Sequence, residues 1–556
     1  MVNQPLWDGR AAVRIVAYDA GRPGYIDNLR LGQADVNAVR TQGARIAALI
    51  APRSGTTLSA TAITQDQTAQ DSAVFSAALG DYRSDAHAPL PFPNRFNLLS
   101  LTAEQTLPFA RLTATTAVFD WDSTKYIDTT LSALLARRQG LYCPRYNGLT
   151  GPCDAAQFAN YQGYIDSILP VVGHQPMDVR SVTPEPRLDS LAGGNVGWTL
   201  GAFIEDRSDS SVSSTVRVDE ATGLPLDPLA PVFQRSSGVD LTQKALYGEL
   251  SWMLTPRLTV RLGARRYSYD KTSRSQVLIT SYINASVAGP ESLHRSEASG
   301  WVRRATASYG LGDHAMAYVQ YAEGFRPGGV NNTPGLDAAL VAYAADEVRN
   351  HEAGLKTTAA NGRLLIDFAV YSVRWSDMQV AARAPNFNFI ANAGEATIRG
   401  LEVEGQLGVT DQLTARWSLN LIDGRLTSAP KTSRFDATGD VGDRIPYEPR
   451  VRFAASLEHG VQVGPEATLR SSIEAAYIGV SGSAFDDDDP YYEQMGEFWL
   501  LNGGVSLANG DWSATLRVEN ILDDAGVVWA ASRPEYERNA IGVQPRTVRL
   551  SLQRRW

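Results

Sequence analysis

At 556 residues, 44% of them hydrophobic and 20% charged, the chain is too polar for a bundle of membrane-spanning helices and too apolar for a disordered polymer. No stretch approaches the roughly 18 uncharged apolar residues that a spanning helix needs, and the net charge of −9 argues against nucleic acid as a partner. Length suggests several domains, yet no Pro/Ser-rich linker divides the chain, and its two cysteines suit an oxidising compartment only weakly. One very large sheet closed on itself reconciles the length with the missing boundaries.

Met1–Trp7 has neither the basic start nor the apolar core of an export signal. From Arg10 onward, roughly twenty segments alternate apolar and polar side chains, the period of a strand with one oily face. Every second connection is a tight turn, at Pro52–Gly55, Thr255–Pro256, Asn361–Gly362, Thr410–Gln412 and Asn509–Gly510. Those between run to roughly 15–55 residues, as in a membrane barrel with short turns at its periplasmic rim and long loops outside.

The faces follow in order. Leu246, Leu250, Trp252 and Leu254 alternate with Tyr247, Glu249 and Ser251; Leu258, Val260, Leu262 and Ala264 alternate with Thr259, Arg261 and Arg265. Leu401, Val403 and Leu407 oppose Glu402, Glu404 and Gln406, while Leu413, Ala415, Trp417, Leu419 and Leu421 oppose Thr414, Arg416, Ser418 and Asn420. Trp512, Ala514, Leu516 and Val518 oppose Ser513, Thr515, Arg517 and Glu519. Open sheets rarely exceed about ten strands, so this number predicts closure. Aromatics near strand ends, among them Tyr267, Tyr269, Tyr318, Tyr321, Tyr371 and Trp375, suit interfacial girdles. The final strand keeps Val548, Leu550, Leu552 and Trp556 in one phase.

Chemistry is sparse. The six histidines form no H-E-x-x-H or comparable pair, and neither a G-x-S-x-G nor a Walker loop is present. No catalytic residue, metal site or cofactor is therefore expected. In the longest loop, about 122–180, Asp128 is expected to cap a helix with Leu131, Leu134 and Leu135 on one face. Asp154 caps a second, carrying Phe158, Tyr161, Ile165, Ile168 and Leu169. Cys143 and Cys153 lie between, placed to form a disulfide that holds an extracellular lid. Asp486–Asp489 lacks the spacing of a calcium loop and suits a solvated acidic tip, with loose cation binding as the alternative. Arg326, Asn331 and Asn332 are placed to reach an anionic ligand in the mouth, or else to build the Arg-Pro-Gly-Gly turn.

Several stretches occur together in one order: Tyr321-Ala322-Glu323-Gly324-Phe325-Arg326-Pro327-Gly328-Gly329, Glu352-Ala353-Gly354-Leu355-Lys356, and Asn392-Ala393-Gly394 leading to Arg399-Gly400-Leu401-Glu402. Val518-Glu519-Asn520-Ile521-Leu522-Asp523, Pro545-Arg546 and Trp556 complete the set. The combination resembles the barrel of TonB-dependent outer-membrane receptors, plugged transporters of about 22 strands. The resemblance implies an all-β antiparallel transmembrane barrel in the Gram-negative outer membrane. It also implies TonB-driven uptake of a scarce nutrient, by family default a ferric siderophore. A plugless passive pore or surface-binding barrel, or a non-functional gene fragment, are the alternatives. Outer-membrane lipid, lipopolysaccharide and the barrel assembly machinery are the implied partners; TonB would act only through a plug. In this reading residues 1–9 are the remnant of a periplasmic turn, residues 10–556 form the barrel, and the plug domain is absent from the chain, as in a truncated, mis-started or split reading frame.

Overall fold

A computed structural model describes residues 1–555 except 192, 332–335, 337, 385–386, 393, 429–438, 490–491 and 531–537. One antiparallel sheet of 21 strands dominates, each strand hydrogen-bonded to its chain neighbours from Val2–Leu6 through to Thr547–Arg554. Those two strands are the margins of the sheet, and among the described residues no pairing joins them.

The alternation of connections is strict. At one rim they hold two to five residues; at the other they run from twelve (280–291) to 42 (129–170). Local chemistry makes the tight ones. Thr255 Oγ1 accepts from the N–H of Arg257 and Leu258, and Thr410 Oγ1 from Gln412 and Leu413, closing each turn through a side chain. Asn361 and Gly362 supply the left-handed backbone that another turn requires (φ 56° and 85°).

Apolar side chains stand outward and bare. Leu246 is 67% exposed and Leu262 53%, with Leu200, Ile204, Leu421, Trp512 and Leu516 exposed on the same face. In water such a surface would be an aggregation hazard; in hydrocarbon it is the required solvent face. The inward face carries pairs such as Lys356–Asp367 (2.7 Å) and Arg517–Glu474 (2.8 Å). Two sequence motifs find their reason here. Tyr318 lies across Gly354 and Tyr371 across Gly400 on the neighbouring strands, where any Cβ would overlap the ring. The Tyr318 hydroxyl then donates to Glu352 Oε1 at 2.7 Å.

Three expectations need adjustment. Val2–Leu6 is a strand paired with Ala11–Ile15, so the turn occupies only Trp7–Arg10 and the strand count is 21. Five residues that include Pro5 are too few to show alternation, and proline, which has no N–H to donate, is tolerated at a sheet margin. Second, six consecutive strands, from Ala110–Asp128 to Ser292–Gly310, are 19 to 25 residues long, whereas the last five have 8 to 12. About 9–11 residues cross a bilayer, so the long strands rise far past it and shorten the loop first read as 122–180. Third, the helix Thr130–Gln139 (α1) buries Ala133 and Ala136 and leaves Leu131 exposed. Its buried face is Thr130, Ala133 and Ala136, with Leu134 and Leu135 only half-buried.

At the top of the long wall a fork opens. Ser292–Gly310 pairs with its preceding neighbour up to Ser292, but with its following neighbour only from Arg304 to Gly310. At the fork the Glu323 carboxylate accepts the Arg303 N–H at 2.8 Å, in place of a backbone partner.

Candidate functional site

The long connections fold over the wide rim. On the tall wall sits a lid built from α1, Cys143–Tyr146 (α2) and Ala155–Ile168 (α3). Cys143 and Cys153 are bonded, with Cα atoms 6.2 Å apart. As read from sequence, Asp154 caps α3: its carboxylate accepts the Gln157 N–H (2.8 Å) while the Gln157 side chain accepts the Asp154 N–H (2.9 Å). Tyr161, Ile165 and Ile168 are the buried face. Arg137 donates to both oxygens of Asp166 (2.6 and 2.8 Å), holding that carboxyl below its ordinary range.

The lid is clamped to connection 280–291. Arg145 donates to the carbonyls of Ser281, Asn284, Ala285 and Ser286 at 2.9–3.3 Å, and Tyr161 Oη donates to the Tyr282 carbonyl at 2.8 Å. A guanidinium matches such a cluster because its donors fan out in one plane.

Beneath the loops lies a cavity of about 860 Å³. Connections from both walls line it: Phe75, His87 and Leu90 from one, Lys125 and Tyr126 from the head of a tall strand. Trp375 to Ala382, Ile445 to Tyr447, Ser483 to Phe485, and Trp529 close the low side. Asp128 ties the tall side together, accepting from the N–H groups of His87 (2.7 Å) and Thr130 (2.9 Å) and lying 3.0 Å from His87 Nδ1. Nearby, Asp71 is buried in connection 70–91 and accepts from the N–H groups of Ser72 (2.6 Å) and Leu90 (3.1 Å). Burial nevertheless outweighs those bonds and pushes its carboxyl up to about 6.

The candidate contact residues fall differently. Arg326 is paired with Asp346, donates to the Gln379 carbonyl (3.0 Å) and stacks 5.5 Å from the Trp375 ring. Asp346 also accepts from Trp375 Nε1 (2.9 Å) and the Gln379 N–H (3.2 Å). That knot fastens the Arg-Pro-Gly-Gly turn to the next loop. Asn331 is buried; it donates to the carbonyls of Leu340 (2.8 Å) and Ile390 (2.7 Å) and accepts the Ile390 N–H (2.7 Å). Its amide clasps two loops together. Asn332 and Trp556 lie outside the described residues, as do Ala393 of the glycine motif and Pro490 beside the acidic run. Val548, Leu550 and Leu552 are bare on the outer face of the marginal strand. Asp486 accepts the Asp488 N–H (2.9 Å), and among the described residues no three acidic, His or Cys groups gather into a metal site. Sequence reasoning missed Phe75, His87, Tyr447, Phe485 and Trp529, which share no motif and converge only through the closure of six loops.

The comparisons agree with this architecture. The model for "TonB dependent receptor-like, beta-barrel" matches residues 31–521. Pesticin receptors of Yersinia enterocolitica and Yersinia pestis are 27% identical over 305 residues, 53% of this chain and 41% of theirs, so the match spans less than half of those relatives. The ferric yersiniabactin uptake receptor from Yersinia pestis superposes with a TM-score of 0.78 at 17% identity, covering 99% of this chain and 76% of that one. The ferric-catecholate import receptor from E. coli K12 gives 0.69 at 14% identity, covering 100% and 78%. With its family model matched across most of its length, its 21-stranded sheet and its bare apolar exterior, the chain belongs to the TonB-dependent receptor β-barrel family, proteins of the Gram-negative outer membrane.

Proposed function

We propose that the chain is the barrel of a receptor that captures a scarce nutrient, a ferric siderophore, at the cell surface for passage through the outer membrane. The observation that carries this reading is the cavity at the long-loop rim, large enough for a small metal chelate and lined by side chains from both walls. Similar proteins named for pesticin, ferric yersiniabactin and ferric catecholates support it. In this reading, energy reaches the barrel from the inner membrane through TonB acting on a plug. The outer face meets lipid and lipopolysaccharide, and the terminal strand with Val548, Leu550 and Leu552 is recognised by the barrel assembly machinery.

The mechanism asks little covalent chemistry of the protein. The lid and loops select a complex by shape and charge, and the polar lumen gives a path that lipid does not. The test is growth and uptake of radioactive iron by cells with and without the gene, supplied with single defined iron chelates. Loss of uptake for one chelate, restored by the gene, supports the reading; unchanged uptake for every chelate removes it.

A further inference from the structure

The outer face of the tall wall carries a second hollow, apart from the cavity of the mouth. It is a trough of about 670 Å³ that crosses six consecutive strands, from Thr56–Ala69 to Pro231–Thr255. Two rows of side chains form its lips. The lower row is Asp66, Arg95, Asp122, Asp178 and Ser210, each directly opposite the next. The upper row, one step further from the membrane on the same face, is Thr68, Pro93, Thr124, Pro176, Val212 and Ser236. Residues between the rows, such as Ser123 and Ser211, turn their side chains inward, so the floor is backbone.

Both rows share the face of Leu58, Leu99, Leu101 and Leu200, exposed apolar side chains lower on the same strands. Arg95 stands about 13 Å along its strand from Leu99. Asp122 lies beyond the roughly 9–11 residues, counted from the turn before Ala110, that cross a bilayer. The trough therefore continues the lipid-facing surface upward, and its occupant stands directly over acyl chains. In the outer leaflet of a Gram-negative outer membrane that position belongs to the sugars of lipopolysaccharide.

The lining matches sugar chemistry. Hydroxyls of Thr124, Ser210 and Ser236 both donate and accept. Pro93, Pro176 and Val212 give apolar ground for the C–H faces of sugar rings. Asp122 and Asp178 are exposed and opposite each other, an arrangement that is costly between like charges. Sugar hydroxyls relieve it by donating to both carboxylates. We infer that the trough holds the core sugars of a lipopolysaccharide molecule whose acyl chains pack on the leucines beneath. The inference rests on the contact of the outer face with lipopolysaccharide given above and not on what the mouth captures.

Two probes isolate the sugar: lipopolysaccharide bearing its core oligosaccharide, and lipid A freed of that core by mild acid. Affinity for each is measured with the protein purified from outer membranes in detergent micelles. Core-bearing lipopolysaccharide should bind roughly tenfold tighter than lipid A. Thr124→Trp combined with Ser210→Trp fills the trough and should reduce that affinity to the lipid A value while leaving lipid A unchanged. Asp122→Ala combined with Asp178→Ala should weaken the core-bearing form in the same direction. Heat-dependent gel mobility reports that each variant barrel is folded. Equal affinity for the two lipids, or binding of neither, overturns the sugar site, and a filled trough that keeps the preference overturns its location. Cellular iron uptake is read separately, so failure of either reading leaves the other standing.

Discussion

The two sides of the barrel solve different problems with the same sheet. From Ala110 to Gly310 the strands are about twice as long as the bilayer requires, and their tops hold the disulfide-closed lid. From Val451 to Arg554 the strands are barely long enough to cross, and only loops rise above them. The long wall is therefore two structures in series, a lipid-solvated base and a water-solvated extension. The short wall has no such reserve, so each of its outward residues must satisfy hydrocarbon. The cavity lies where rigid height on one side meets folded loops on the other.

Breaking the clamp on the tall wall should have the largest effect. Arg145→Ala removes the donor from the Ser281, Asn284 and Ala285 carbonyls, while that of Ser286 keeps the Ser281 N–H, and should cost the docking of the lid about 3 kcal/mol. Hydrogen exchange across 129–170 should rise by orders of magnitude while the sheet keeps its protection; unchanged exchange would show that the lid stands without the clamp. Replacing both Cys143 and Cys153 by serine should destabilise the lid by about 3 kcal/mol through the loop it no longer closes, seen as new protease cuts between them.

A paired test addresses the series arrangement itself. Leu516→Arg on the short wall should cost about 2 kcal/mol and lower the yield of folded barrel, because that side chain faces lipid. Val212→Arg, high on the outer face of the tall wall, should be nearly neutral. Equal penalties in urea titrations of protein folded into lipid vesicles would abolish the distinction. The smallest effect concerns Asp71. Its carboxyl titrates near 6 in the folded loop and at its lower ordinary value when unfolded, so the protonated form is favoured by folding. Stability of connection 70–91 is thus full below about pH 4 and falls as pH rises through about 6. Asp71→Asn should remove that dependence, worth on the order of 1 kcal/mol, in amide exchange measured from pH 5 to 7.

Strand identity was legible because lipid on one side and water on the other stamp a period of two on residues such as 246–254 and 512–518. Turns were legible because Thr255, Asn361 and Thr410 have one local job each. The height of the tall wall was not. Above the membrane both faces of a strand meet water, and stretches such as Ser208–Ser211 or Ser236–Ser237 lose their alternation and pass for loop. Arg326 and Asn331 were placed near the mouth, but sequence could not tell a side chain offered to a ligand from one spent on holding loops. The cavity was invisible for a third reason: Phe75 and Trp529 approach it from opposite ends of the chain.

The fork above Arg303 leaves the upper half of Ser292–Gly310 with a strand on one flank only. A bare flank of this kind can recruit the flank of a neighbouring molecule, and receptors packed side by side in a membrane meet often. On that stretch Arg295 and Glu297 stand exposed, and Gly300 leaves room for the Tyr267 ring of the neighbouring strand. Closely spaced hydrated charges on a twisted, short margin make lateral zippering costly. The same half-strand that frees the top of the tall wall from the strand Ala315–Arg326 is thus kept from fastening one receptor to the next.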